Sequence, residues 1–444
     1  MNNPPSLTER LADWLLAEQE HEMSSALLAQ AQYYLLDWLG SALAGRNTDP
    51  GKALIRYART QPDDVCPLIG GDGSGCAETA ALVNGGLGHI VEMDDLDRAS
   101  VTHPATVIMP AALAIAERQG SSGRELLQAI VAGYEVGIRI GASVGRRHYF
   151  HFHNTATCGI FGAAAAAGWL LDLSREQFVW ALGNAGTMAA GLWQFNADGA
   201  MSKHLHAGMA AANGIRAADL ATHGFTGARH ILEGERGFFA GLAASADPEV
   251  VVAGLGNGYK IGGVSIKPHA SCRHTHPAID AALRVRQQLD GRSIVAVGID
   301  SYQAALDLCD NADPQSSYAA KFSLQYCVVA ALIDGQVGLG GFSATAIQRP
   351  EVRTLLPRTQ VRASPDLNKL YPIQWPARVR VDLDDGEIIE VEVLEPKGDP
   401  GNALDASELE SKFRALAGFG CADADKWLAW LDRLQAVARV RLPG

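Results

Sequence analysis

The sequence predicts a mainly α protein, with a large all-helical domain and a smaller α+β domain. Three observations predict it. Apolar residues recur at helical spacing in nearly every segment from residue 6 to about 265. Ala and Gly are dense in those segments, as in GIFGAAAAAGWLL, and small residues let helices approach closely. From about residue 266 the texture changes: ARVRVDL and EIIEVEV alternate apolar and polar residues around Asp384-Asp385-Gly386, a hairpin signal.

The elements follow in order. LTERLADWLLAEQ reads as a first helix with Thr8 as its N-cap and acids in its first turn. AQAQYYLLDWLGSALAG follows and stops on Gly45. ETAALVNGGLGHIVEMDD keeps helical spacing, and PATVIMPAALAIAE starts a helix with Pro104 in its first position. GRELLQAIVAGYEVGIRIGASVG, GIFGAAAAAGWLLDL, SREQFVWALGNAGTMAAGL and LHAGMAAANGIRAADLATHG continue the helical series. In the second domain, SIVAVGIDSYQAALDL reads as a strand pair or one long strand, and FSLQYCVVAALIDGQVG as a helix. The last helical stretches, SELESKFRALAGF and ADKWLAWLDRLQAVARV, are expected to return to the first domain. The expected boundaries are 1–265, completed by 401–444, and 266–400.

Charge and composition narrow the function. The chain has 444 residues, 48% hydrophobic and 19% charged, with a formal charge of -12. A nucleic-acid partner is not expected, because phosphate binding needs net basic surface. No apolar run is long enough to span a membrane, and the N-terminus does not read as a signal peptide. The seven cysteines form no C-x-x-C pair, which argues against a disulfide framework or structural zinc and for a reducing, cytoplasmic setting.

Histidines group beside cations, acids and helix starts. Glu92, Asp94, Asp95 and Asp97 precede His103 in EMDDLDRASVTHP. Four acids so close are costly to bury, so some should face water or a cation; Glu92 and Asp95 would share a face if the helix continued. An acid can orient His103 and raise its basicity, and the helix start behind it favours the neutral ring, a usable base. DDLD lacks the D-D-x-x-D spacing of a magnesium site. SIKPHASCRHTHPAIDAAL places Lys267 and Arg273 among His269, His274 and His276 at a helix start, a loop suited to carboxylates. A zinc set of His269, Cys272, His274 and His276 is the alternative, opposed by the adjacent cations. Cys272 could also be a nucleophile or a small buried thiol. Lys203 and His206 sit three apart ahead of a small-residue helix, and His153, Asn154 and Thr155 precede the alanine-rich one. Several such helix starts aimed at one place would hold a polycarboxylate without a metal.

These pieces, GHIVEMDDLDRASVTHPATVIMPAALAIAE, FHNTATCGIFGAAAAAG, MSKHLHAGMAAANGIRAADLA, ILEGERGFF, IKPHASCRHTHPAIDAAL and AKFSLQYCVVAAL, resemble the MmgE/PrpD family over nearly the whole chain and in the family's order. That group includes 2-methylcitrate dehydratase, cis-aconitate decarboxylase and iminodisuccinate epimerase. The resemblance implies a homodimer, no cofactor, no iron–sulfur cluster and an active site between the two domains. It implies that the acidic motif falls on Glu92, Asp94 and Asp95, the motif histidine on His103, and later positions on His153, Lys203, Lys267 and Arg273. The chain departs from the family at Glu92, often aspartate there, and at Cys272, where the decarboxylase has histidine.

The expected chemistry is proton abstraction beside a carboxylate of a small di- or tricarboxylate. His103 is the expected base, His153 the second proton carrier and Asp94 the catalytic acid of the motif. Glu92, Asp95, Lys203, His206, Lys267, Cys272, Arg273 and His276 are the expected substrate-binding set. The leading expectation is a 2-methylcitrate-dehydratase-like lyase; an epimerase or a cis-aconitate decarboxylase on the same scaffold is the alternative. A polycarboxylate-binding protein without turnover is the rival of another class.

Overall fold

The structure is a computed structural model that describes residues 4–443, apart from the side chain of Arg146. The first three residues of the N-terminal stretch read for a signal peptide lie outside the described residues. The chain divides into two units, Met1–Ser265 with Ala406–Gly444 and Ile266–Asp405. The protein is mainly α, with strands concentrated in the second unit.

The helices used below are α1 (Leu7–Glu20), α2 (Ser25–Gly45), α3 (Asp49–Ala58), α4 (Ala77–Ile90), α5 (Ala105–Gln119), α6 (Gly123–Ser143), α7 (Asn154–Thr157), α8 (Gly159–Leu170), α9 (Arg175–Thr187) and α10 (Ser202–Thr222). The second unit contributes α11 (His276–Arg286), β1 (Ile294–Ser301), α12 (Gln303–Cys309), α13 (Leu324–Asp334), β2 (Thr359–Ala363), β3 (Ala377–Leu383) and β4 (Ile388–Val393). Near the C-terminus come α14 (Ala406–Phe419) and α15 (Ala424–Asp432).

In the first unit α4, α5, α6, α8 and α10 pack as a core layered on α2. Small residues set the spacing. A Cβ at Gly208 of α10 would lie 2.1 Å from the Leu82 carbonyl of α4, and one at Gly162 of α8 would lie 2.6 Å from the Gly133 carbonyl of α6. Backbones this close exclude side chains, which is why the alanine run Ala163–Ala167 is fully buried. Helix α14 closes α2: Lys412 pairs with Asp37 and donates to the Met93 carbonyl at 2.7 Å.

Local expectations need three corrections and one refinement. The cap of α1 is Ser6, in a reciprocal capping box with Glu9, while Thr8 is buried and donates to the Arg229 carbonyl. Gly45 ends α2 without a left-handed turn; its role is contact, since a Cβ there would lie 2.1 Å from the Leu87 carbonyl. Helix α4 stops at Ile90, so Glu92 and Asp95 share no helical face. QAALDL is helix α12 after strand β1, because Tyr302 is fully buried and the chain turns there.

The sheet of the second unit has the order β2-β1-β3-β4. β1 pairs parallel with β2 and antiparallel with β3, with Ile299 opposite Val361 and Val379. β3 and β4 form the hairpin, with Val379 opposite Val391. Ala377, Val379, Val381 and Leu383 are the buried face, and α11 packs against β3 and β4.

Candidate active site

In the first unit the acidic motif folds back as a tight loop at the end of α4. The helix ends without glycine: Glu92 takes φ 61, a left-handed conformation uncommon for a residue with a Cβ. The turn sends the Glu92 side chain to the ammonium of Lys203, in the first turn of α10. Both partners are buried, with side-chain exposures of 3% and 4%.

All four acids are buried, and each has its own partner. Glu92 meets a cation. Asp94 accepts from His89 Nδ1 at 2.6 Å. Asp95 accepts from the Ala105 N–H at 3.1 Å, capping α5 from ten residues upstream, and from the Tyr134 hydroxyl at 2.7 Å. Burial nevertheless pushes Asp95 well above the usual carboxylate range, against the lowering effect of those two donors. Asp97 accepts from the backbone and hydroxyl of Ser100 at 2.7 and 2.6 Å, which pins the loop.

This loop presents His103. Its backbone N–H donates to Thr155 Oγ1 at 3.1 Å. Its Nδ1 lies 2.6 Å from the Asp95 carbonyl and 3.4 Å from Asp94 Oδ2. Both neighbours are acceptors, so Nδ1 carries the hydrogen and Nε2 is the basic nitrogen. The His103 side chain is 12% exposed, while those of His89 and Asp94 are 0% exposed. His103 is therefore the member of the three that reaches outward.

His153 is placed by α7. Its ring stacks on His89, with centroids 5.5 Å apart and 19° between planes, and lies 5.7 Å from His206. Burial, with the nearby cations and rings, holds it well below the ordinary histidine value. His206 is pushed down to about 4 by burial, then by His89 and Lys203. His89, His103, His153, Lys203 and His206 thus form one cluster within the first unit, with His89, His153 and Lys203 buried and His103 and His206 partly exposed.

The cationic loop belongs to the second unit. Lys267 is 1% exposed. His269 Nε2 lies 2.8 Å from Asp280 Oδ1. Arg273 pairs with buried Asp399, donates to the Lys397 carbonyl at 3.0 Å, and donates to His276 Nδ1 at 3.0 Å. Those contacts pin the loop around Arg273, whose Nε is buried without a hydrogen-bond partner among the described residues. His276 is fully buried, its Nε2 is 3.3 Å from the Ser271 carbonyl, and burial holds it well below the usual range. His274 receives the Tyr302 hydroxyl at 2.6 Å, or donates to it, and stacks on Trp375 at 4.4 Å and 5°. Cys272 is half-buried just before these residues. His269, His274 and His276 go to three different partners, so the alternative zinc set does not assemble.

The metal-ligand spacing arises elsewhere. Among the described residues His89, Asp94 and His103 have donor atoms within 4.8 Å of one another. They would offer a divalent ion two imidazoles and a carboxylate. The Nδ1 atoms of both histidines lie 2.6 Å from oxygen acceptors, so the three also make a hydrogen-bonded chain.

The sequence reading missed His89, Tyr134, Asp280 and Asp399. His89 had a signal: a histidine ending a Gly-rich apolar helix, five residues before Asp94. The other three meet their partners only through tertiary contact.

Residues 9–251 match the MmgE/PrpD N-terminal domain and residues 269–434 the MmgE/PrpD C-terminal domain. A cis-aconitate decarboxylase-like protein oryM of Aspergillus oryzae is 28% identical, covering 93% of this chain and 90% of its own length. A cis-aconitate decarboxylase of Aspergillus terreus is 27% identical, over 94% and 90%. A cis-aconitate decarboxylase of Homo sapiens is 28% identical, over 98% and 91%. Both halves of the chain match in order and together span most of its length, so the chain belongs to the MmgE/PrpD family of enzymes.

Proposed function

We propose that this protein is a lyase that moves a proton at the carbon beside a carboxylate of a small tricarboxylate, with decarboxylation of a cis-aconitate-like substrate as the first reading. The observation that carries it is His103, whose Nδ1 is directed to the Asp95 carbonyl at 2.6 Å beside Asp94. That leaves Nε2 to exchange a proton with substrate. The names of the relatives favour loss of carbon dioxide.

The steps are these. In decarboxylation the bond to the leaving carboxylate breaks, its electron pair shifts through the double bond to the carbon beside a second carboxylate, and protonated His103 delivers a proton there. In dehydration His103 removes that proton and the β-hydroxyl leaves as water, its second proton relayed from solvent through His153. In epimerisation the proton returns on the opposite face. All three share a carbanion beside a carboxylate, which the Lys203 ammonium stabilises electrostatically. Proton transfer by a positioned histidine contributes about 10²–10⁴-fold, so stabilisation of that carbanion carries much of the remainder.

Asp94 and His89 orient His103, Glu92 positions Lys203, and Asp95 holds the start of α5 behind the base. Lys267, Cys272, Arg273, His276 and His206 are proposed substrate contacts. No resident cofactor enters the proposed steps. A homodimer in the cytoplasm is proposed as its setting. No disulfide joins the cysteines, and among the described residues no helix is long and apolar enough to cross a membrane.

Proton NMR in D2O with cis-aconitate, citrate, 2-methylcitrate and iminodisuccinate tests the reading. Deuterium beside a carboxylate in a five-carbon product supports decarboxylation. Water loss or inversion with deuterium uptake moves the assignment to dehydratase or epimerase. Saturable binding with no exchange on any of the four supports the binding protein instead.

A further inference from the structure

Away from the histidine cluster, the end of α2, one face of α3 and the turn after α14 enclose a surface cavity of about 430 Å³. Its volume lies in the range of small-molecule sites. Lys52, Ile55, Arg56 and Arg59 line it from α3 and its cap, at the i, i+3, i+4, i+7 spacing of a single helical stripe. Ile55 is buried in the wall, and the three cations are exposed. Arg46 and Asp72 complete the charged lining.

Four cations against one carboxylate is a strong local excess in a chain of formal charge -12. Asp72 is already shared, 2.9 Å from Arg46 and 3.8 Å from Arg59. Among the described residues neither Lys52 nor Arg56 has an ion-pair partner. Like charges three and four apart on a helix repel, so the stripe disfavours its own helix until an anion neutralises it.

Arg46 shows that the site is built rather than merely charged. Its guanidinium lies over Gly70, where φ is 92 and a Cβ would come within 2.6 Å of Nε. Nε donates to Asp72 Oδ2 at 2.9 Å and one terminal nitrogen to the Gly420 carbonyl at 3.3 Å. The second terminal nitrogen also lies 2.9 Å from Asp72 Oδ2, so Arg46 is held in place before any ligand arrives and lends the cavity a fixed positive charge.

We infer that this cavity binds a compact polyanion carrying at least two phosphate or carboxylate groups. None of its lining residues belongs to the histidine cluster, so the site is separate from the proposed chemistry. Isothermal titration of the full chain with inorganic pyrophosphate, and in parallel with tricarballylate, tests it at low ionic strength. The tighter probe names the preferred anionic group. The K52Q/R56Q variant changes only exposed side chains and should bind at least tenfold more weakly. The R10Q/K369Q variant, with the same loss of charge elsewhere, should bind as the unaltered protein does. Absence of saturable binding by both probes, or equal affinities in the two variants, overturns the inference.

Discussion

His89 and Asp94 share a hydrogen bond of 2.6 Å between two side chains with no exposure to solvent. The same Asp94 oxygen lies 3.4 Å from Nδ1 of His103. An uncovered carboxylate would be drawn by water; a covered one keeps its direction. His89 therefore fixes the carboxylate beside His103, the proposed proton carrier.

Replacing His103 by Ala should lower kcat by about 10²–10⁴-fold while KM changes little, since the lost interaction belongs to the transition state. His89→Phe should lower kcat by less than His103→Ala does, because it removes an orienting partner and leaves the proton carrier, and should also shift the pH profile of kcat. Steady-state kinetics across pH checks both. An unchanged kcat for His103→Ala removes it as the proton carrier.

Glu92 and Lys203 form a buried pair, so removing one charge strands the other. Glu92→Gln and Lys203→Met should each destabilise the first unit by about 3–5 kcal/mol, and the double variant by clearly less than their sum. Urea unfolding of the four proteins forms the double-mutant cycle. Strict additivity would show that the two charges do not interact.

Acid should weaken the fold through its buried neutral histidines. Burial pushes His274 down to about 3 and His206 down to about 4. Between those values and the unfolded value near 6.5 the unfolded chain binds more protons, so stability is full above 6.5 and is lost as pH falls below it. One such group contributes up to about 1.4 kcal/mol per pH unit. His274→Phe keeps a ring against Trp375 and should make the fall from pH 7 to 5 shallower in urea midpoints. Asp95, raised by burial, acts with the opposite sign: its contribution is present below about pH 3.8 and is lost as pH rises.

Gly45→Ala would drive a methyl into the Leu87 carbonyl, two residues before His89. Overpacking of this kind costs about 1–3 kcal/mol. A lower melting temperature together with a lower kcat is expected, because the end of α4 must move. An unchanged melting temperature would show that α2 can shift aside freely.

Prolonged treatment with a chelator should leave turnover unchanged if His89, Asp94 and His103 act as a hydrogen-bonded chain. Loss of activity, restored by a divalent ion, would instead make the three a metal centre.

The sequence by itself determined the helical class, the β3–β4 hairpin, the family and most members of the candidate cluster. Those signals are local: apolar periodicity, Asp-Asp-Gly between alternating strands, and histidines beside helix starts. Its error at Thr8 passed over a local signal, the Ser6-x-x-Glu9 capping box that encloses Thr8, whereas QAALDL was settled by the buried Tyr302. Only the tertiary structure decided that four neighbouring acids could all be buried. Each needs a donor, and Lys203, Tyr134 and the start of α5 come from other parts of the chain. It also decided that Arg273 anchors its loop, because Asp399 lies 126 residues away in sequence. Hydrogen-bond partners so distant leave no period for a sequence to display, and those partners set which side chains remain available for chemistry.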